Sequence, residues 1–308
     1  MSLEKLDAST LKKSGYMKQR QKDLFVVRLR MPCGNVTCEQ LAGIGEIAKK
    51  YGTGYVHITT RQGIQIPNVD IHNLDAITKE LEDNGTPPGS CGPRVRNIIA
   101  CPGGSECNYG IIDTYGLGGL LDKEFFGEDM PVKIKFAVTG CPNSCAKPQE
   151  NDFGIIGVLK PGLYTEDCTA CGTCTFMCPE KAFVVEDTKV KIFWDKCNLC
   201  GACIGACPTD LIFEDWKGYK LFVGGKIGKH PKLGKELTIV KSPQEAVAIF
   251  RRIIDWSKKN TNVGERFGDC LDRVGFERFR KEILSEEFAF ESKIPEISSS
   301  ITSIKIGV

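Results

Sequence analysis

The chemistry of this chain is concentrated in its thiols. Sixteen of its 308 residues are cysteine, and eight of those fall between positions 168 and 207. An oxidising compartment would turn such a density into disulfides, whereas a reducing cytosol favours metal ligation. Spacing decides between the two. Cys168, Cys171, Cys174 and Cys178 stand at C-x2-C-x2-C-x3-C ahead of Pro179, and the run returns as Cys197, Cys200, Cys203 and Cys207 ahead of Pro208. Zinc sites use C-x2-C pairs split by a spacer. Two complete runs ending in Cys-Pro instead match the loops that wrap cubane iron–sulfur clusters, in which the fourth cysteine of each run crosses to the other cluster. One [4Fe–4S] cluster is therefore expected on Cys168, Cys171, Cys174 and Cys207, and a second on Cys178, Cys197, Cys200 and Cys203. Gly172, Gly201 and the small residues Ala170, Thr173 and Ala202 leave backbone N–H groups free to approach the sulfides. On its own this segment says electron transfer and leaves the substrate open.

A second constellation lies upstream. Cys101-PGGSE-Cys107 is C-x5-C and Cys141-PNS-Cys145 is C-x3-C, so four thiolates in two pairs can hold a third cubane by its edges. At these motifs the sequence resembles the sirohaem-dependent sulfite and nitrite reductases, and among them the small ferredoxin-containing anaerobic (dissimilatory-type) sulfite reductase subunits. The resemblance runs over nearly the whole chain. It implies that Cys101, Cys107, Cys141 and Cys145 ligate a [4Fe–4S] cluster and that the Cys145 thiolate bridges it to the sirohaem iron. GCPNSCAK also matches, with Asn143 as an implied macrocycle contact.

Four cations complete the likeness. HITTRQGIQI (57–66) supplies Arg61, VRNIIAC (95–101) supplies Arg96, and VKIKFAVTGC (132–141) supplies Lys133 and Lys135 at the period of two that puts both on one face of a strand. The resemblance implies that they hold the substrate anion. Fixed positive charge suits a doubly charged oxyanion, and ammonium groups can donate protons as S–O bonds break. Any one of them alone reads as a solvated surface residue; four at matching positions argue for anion binding.

These residues need elements to position them. Residues 25–32 alternate like a strand, 37–50 have helical periodicity, 55–66 read as a strand or bent strand pair, and 70–85 read as a helix with an Asp N-cap and a terminal glycine. The fold class expected is α+β: a ferredoxin-like half domain at 1–90, and a sirohaem-binding α/β domain at 91–161 and 214–292. A bacterial-type 2[4Fe–4S] ferredoxin domain is inserted at 162–213, and a tail at 293–308 has no assignment. In the α/β domain, helix is expected at 113–121, 243–259 and 265–284, and strand at 153–160 and 220–225. Residues 217–241 hold seven lysines and one acidic residue. Sirohaem carries eight carboxylates, so the resemblance makes Lys226, Lys229 and Lys232 candidate partners for them; an acidic donor protein or a solvated hairpin is an equal reading. His57 is expected to face a neighbouring element, and Cys33, Cys38, Cys91 and Cys270 to be packing residues or plain thiols.

Bulk properties set the outer limits. A net charge of +2, with 41% hydrophobic and 26% charged residues, describes a soluble globular chain and gives no reason to expect nucleic acid. No apolar run approaches the roughly 18–20 residues of a membrane span, and the polar opening residues lack a signal-peptide core, so a cytoplasmic location is expected. No G-x-G-x-x-G follows a strand, which leaves electrons to come from a ferredoxin or a partner subunit. Assimilatory members of the family carry the unit twice, with cations from one repeat and cysteines from the other. A single unit implies a homodimer sharing its sites about a twofold axis, or a heteromeric complex. The expected activity is six-electron reduction of sulfite to sulfide. Its rivals are nitrite reduction, a polyferredoxin-type electron carrier without sirohaem, and a sirohaem protein that senses without turnover.

Overall fold

Thr37 accepts the Gln40 N–H while the Gln40 side chain accepts the Thr37 N–H, a reciprocal capping box that starts helix α2 (Cys38–Tyr51). Its buried face, Ile44, Ile47 and Ala48, packs with that of α3 (Leu74–Asp83), Leu74, Ile77 and Leu81. Both cover a four-stranded antiparallel sheet of order β1 (Tyr16–Lys18), β2 (Leu24–Arg28), β4 (Ile64–Asp70), β3 (His57–Ile58). Strand β2 buries alternate residues, as a strand with one covered face must. The half domain expected from sequence is present, and within it α1 (Ala8–Lys13) and β1 precede the first expected strand. Chain topology comes from a computed structural model that describes residues 3–164, 168–186 and 189–285. The tail at 293–308 lies outside those residues.

The second layer is a five-stranded mixed sheet of order β11-β10-β7-β6-β5. Strands β5 (Ile99–Ala100), β6 (Phe136–Thr139) and β7 (Phe153–Leu163) run parallel, while β10 (Ile212–Val223) and β11 (Lys235–Val240) return antiparallel. Helices α4 (Thr114–Phe125) and α6 (Pro243–Asn260) help to cover it through an aromatic core: Phe136 stacks on Phe125 and makes T-shaped contacts with Phe153 and Phe250, which are tilted against each other. The expected helix at 265–284 is two helices, α7 (Phe267–Val274) and α8 (Phe276–Leu284), because Gly275 takes φ +95° between them. That left-handed backbone is where glycine costs least and where an α-helix cannot continue. Lys133 and Lys135 flank an isolated bridge, Val95 to Ile134, and regular strand begins only at Phe136. Alternation survives nonetheless: Val132, Ile134 and Phe136 are buried and the two lysines partly exposed.

The β7–β10 hairpin pairs from Phe153↔Val223 to Leu163↔Ile212, and its far end carries the cysteine-rich segment. That segment holds α5 (Thr173–Met177) and the pair β8 (Phe183–Glu186) and β9 (Lys189–Ile192). It is fastened back onto the hairpin: Leu159 N–H donates to Leu199 O at 2.8 Å, and Leu159 bridges to Cys200.

The half domain is locked to the mixed sheet at one turn. Gln62, at φ +51°, donates its amide N–H to Ala100 O at 2.6 Å and accepts from Ala100 N at 2.9 Å. Arg30 pairs with the buried Asp122 of α4, and Cys33 N–H donates to Ile98 O at 3.1 Å. Neighbouring residues of both domains are thereby held in one register.

Candidate cluster and anion sites

Parallel pairing brings the upstream cysteines together. Strands β5 and β6 register Ile99↔Ala137 and Ala100↔Val138, so the residues just beyond their carboxyl ends, Cys101 and Cys141, lie side by side. Cys101 Sγ accepts the Gly140 N–H at 3.1 Å and the Thr139 hydroxyl at 3.5 Å. Backbone approach here is close throughout. A Cβ on Gly157 would sit 2.3 Å from Gly140 O, one on Gly140 2.7 Å from Gly103 Cα, and one on Gly110 2.2 Å from Gly103 C. The two cysteine loops are thus nested on β7 with no room for a side chain. Burial pushes the Cys141 thiol up, its contact with the Asn143 backbone pulls it down, and the charges of Cys101, Cys107 and Cys145 push it further up. Cys141 thus lies within electrostatic reach of the other three thiols, with Cys107 and Cys145 exposed and Cys141 buried. Asn143 is exposed beside them.

In the cysteine-rich segment the eight thiols divide into two sets. One hollow is lined by Cys168, Cys171, Cys174 and Cys207, and a second by Cys178, Cys197, Cys200 and Cys203. These are the crossed sets expected from the spacing, each joining three cysteines of one run to the last of the other. Among the described residues no three Cys, His, Asp or Glu side chains converge closely enough for a single ion. The thiols of each set surround a cavity instead, the arrangement a four-iron cubane needs.

The cations gather on the flank of β6. Arg61 donates to Asn97 O at 2.9 Å, to Phe136 O at 3.1 Å and to the Asn151 side chain, so its guanidinium ties the half domain to the sheet and to the segment after Cys145. Arg96 donates twice to Gly92 O, at 3.1 and 3.3 Å. Burial brings Arg61 down to about 10, Asp152 acts against that, and Arg96 and Arg28 lower it further. Lys135 is brought down to about 8, first by burial and then by Arg61. Lys133 is lowered by burial and then by Arg266 and Arg96. Asp152 is the carboxylate common to all four environments.

Sequence reasoning missed three members of this group. Arg28, on β2, lies within electrostatic reach of Arg61 and Arg96 and donates to Cys91 Sγ at 3.2 Å. Arg266 pairs with the fully buried Asp152 at 2.7 Å, across 114 residues of sequence. The Nε atoms of Arg28 and Arg266 and the Asn97 Oδ1 are buried without a protein partner. Arg28 was legible as a half-buried cation in an alternating strand; nothing local marks Arg266 or Asp152.

Other expected contacts are placed differently. Lys226 and Lys232 pair with Asp269 and Asp272 of α7, and Lys232 also donates to Gly268 O, while Lys229 is exposed. His57 is exposed as well, on β3 in register with Gln65 of β4. Cys33, Cys91 and Cys270 are buried and Cys38 is exposed.

The donor sets suit the groups that the sequence suggests. Three groups of four thiols match three cubanes, and a cluster of cations with unpartnered buried guanidinium N–H groups suits an anion or a polycarboxylate.

The matches to known proteins agree with this geometry. Residues 91–291 match the nitrite and sulphite reductase 4Fe-4S domain, and residues 17–84 match the nitrite/sulfite reductase ferredoxin-like half domain. The chain belongs to the nitrite and sulfite reductase family. Over 271 residues it is 32% identical to a coenzyme F420-dependent sulfite reductase of Methanocaldococcus jannaschii, covering 87% of this chain and 44% of that protein. It therefore spans less than half the length of that relative. It is 25% identical to an assimilatory-type sulfite reductase of Nitratidesulfovibrio vulgaris, covering 88% of this chain and 97% of the other. The crystal structure of dissimilatory sulfite reductase I superposes with a TM-score of 0.71 at 22% identity, over 89% of this chain and 73% of that one, and so shares the fold. No described helix is long and apolar enough to cross a membrane.

Proposed function

We propose that the chain is a sirohaem–[4Fe–4S] sulfite reductase that reduces sulfite to sulfide with six electrons received through two further [4Fe–4S] clusters. One observation carries this reading: five cations, Arg61, Arg96, Lys133, Lys135 and Arg266, are crowded around a single common carboxylate, with Arg28 beside them, next to the strands that present Cys101 and Cys141. Like charges held this close repel, and an anion among them relieves that; burial first and then the neighbouring cations lower Arg61, Arg96, Lys133 and Lys135. A pure electron carrier has no use for such crowding. That the relatives named above are sulfite reductases supports sulfite as substrate; the same cations suit nitrite.

Cys101, Cys107, Cys141 and Cys145 would hold the [4Fe–4S] cluster, Cys145 would also serve the sirohaem, and together these groups would supply the electrons at the substrate. The chain's own residues would do the rest. Arg96 and Lys133 orient the oxyanion by charge. Arg61 is spent largely on backbone carbonyls and acts by holding the site's walls together as much as by its field. Lys135, brought down to about 8, is the best matched proton donor of the group near neutral pH. The cavities lined by Cys168, Cys171, Cys174 and Cys207, and by Cys178, Cys197, Cys200 and Cys203, suit the electron-delivering clusters of an inserted ferredoxin domain. A separate reductant, a ferredoxin or partner subunit, would deliver electrons there in the cytoplasm, to a homodimer or higher oligomer with shared sites.

The test is turnover by anaerobically prepared, sirohaem-loaded protein with a reduced dye as donor. Sulfide formed at six electrons per sulfite supports the reading. A loaded protein that reduces neither sulfite nor nitrite overturns it, and a fully active monomer overturns the sharing of sites.

A further inference from the structure

Within the cation group, the Asp152–Arg266 ion pair has been given no separate role. Asp152 is fully buried, and its two oxygens are divided: Oδ1 accepts from Arg266 Nη2 at 2.7 Å, and Oδ2 accepts the Lys135 backbone N–H at 3.1 Å. Both hydrogen bonds go to groups other than a lysine ammonium, although Lys133 and Lys135 lie within electrostatic reach of this carboxylate. A buried carboxylate left uncompensated is strongly destabilising and takes the nearest cation available. Here the cation is delivered from elsewhere in the chain. Arg266 precedes α7, and that helix lies against the backbone of Gly224: a Cβ on Gly268 would sit 2.2 Å from Gly224 O. Gly224 N–H in turn donates to Asp152 O at 2.8 Å. Lys226 and Lys232 fasten the same helix through Asp269 and Asp272. The arm that reaches Asp152 is therefore rigidly mounted.

We propose that Arg266 is a positioning residue of the anion site: by saturating Asp152 it keeps that carboxylate from capturing the Lys135 ammonium, and it fixes the backbone from which Lys133 and Lys135 project. The proposal rests on the reading of those lysines as anion-binding groups. The groups facing Lys135 are Arg61, Asp152, Arg266 and Lys133. Without Arg266, Asp152 would neutralise Lys135, and the site would lose an anion-directed charge without losing the residue that carries it.

The experiment is a spectral titration of the oxidised holoprotein with nitrite and with sulfite, in wild type, Arg266→Gln, Arg266→Lys and the double variant Arg266→Gln/Asp152→Asn. Iron content and thermal midpoint are recorded for each. In Arg266→Gln the dissociation constant should rise about tenfold, the effect of losing one charge-assisted contact. Arg266→Lys should restore most of it. The double variant should bind more tightly than Arg266→Gln alone, because removing the carboxylate frees Lys135 again. A merely structural role predicts the reverse order, with the double variant the weaker. Should Arg266→Gln fail to load, Arg266→Lys still decides: anion binding within about threefold of wild type supports the proposal, and a weakening of about tenfold in fully loaded Arg266→Lys overturns it. Unchanged binding in Arg266→Gln, or no recovery in the double variant, overturns the proposal. Wild-type holoprotein that binds neither anion would instead overturn the functional reading beneath it.

Discussion

Gly157→Ala should empty the site of Cys101, Cys107, Cys141 and Cys145 while sparing the two cavities of the cysteine-rich segment. The added Cβ would lie 2.3 Å from Gly140 O and 2.8 Å from Ile112 Cγ1, against a floor of 3.0 Å for real contacts, so something must move by about 0.7 Å or more. Strand β7 is paired on both sides and gives little. The displaced part is then Gly140, whose oxygen accepts from Ile111 N at 2.8 Å and whose N–H supports Cys101 Sγ. Overpacking of this kind costs about 1–3 kcal/mol, with about 1 more for the lost hydrogen bond. A domain stable by about 5–15 kcal/mol survives that, but the thiol next to Gly140, Cys141, is carried off its place. Iron and acid-labile sulfide per chain are the assay. Wild type should give about thirteen irons and Gly157→Ala about eight, the loss being one cubane and the macrocycle iron. Gly119→Ala, where a Cβ meets nothing within 4 Å, is the control and should keep all of them. Full iron and macrocycle in Gly157→Ala would refute the claim that backbone nesting seats Cys141.

Other expectations follow from the same geometry. Nitrite, whose charge is constant across the range, should bind more weakly as pH rises through about 8, because the unliganded Lys135 then loses its proton; in Lys135→Arg that decline should move to higher pH in the same spectral titration. Arg61→Met strands two carbonyls and an amide oxygen, so calorimetry should show a loss of about 2–4 kcal/mol and a midpoint lower by roughly 5–10 °C. Lys133→Met should leave the midpoint within about 2 °C and weaken anion binding instead. Cys178→Ser and Cys200→Ser should give the same reduced-state electron paramagnetic resonance spectrum, and Cys171→Ser and Cys207→Ser a different shared one, because the crossed sets line separate cavities.

Much of this was legible in sequence because it is local. Cubane loops announce themselves by spacing, and the crossing of Cys178 and Cys207 follows from the fold of such loops. Helical periodicity over 37–50 marks α2, alternation marks β2, and the apolar run at 153–160 marks β7 as a buried strand. What escaped was long-range or relational. Asp152 and Arg266 are 114 positions apart and each reads as an ordinary surface charge; only the approach of Gly268 to Gly224 brings them together. The same applies to Lys226 and Lys232, whose lysine-rich context left sirohaem, an acidic donor and a solvated hairpin open, and whose pairing with Asp269 and Asp272 of α7 is long-range. The break at Gly275 was visible as a glycine but not as a left-handed one. The glycine nest around Gly140 requires knowing which backbones face each other.

The central claim, that one chain carries a sirohaem-coupled cluster and two further cubanes, is tested most directly by acid–acetone extraction of anaerobically purified protein from a sirohaem-competent host, with an absorption spectrum and an iron count. The account predicts an isobacteriochlorin spectrum in the extract and about thirteen irons per chain, three four-iron clusters and one macrocycle iron. About twelve irons and no extractable macrocycle would contradict it and leave an electron carrier.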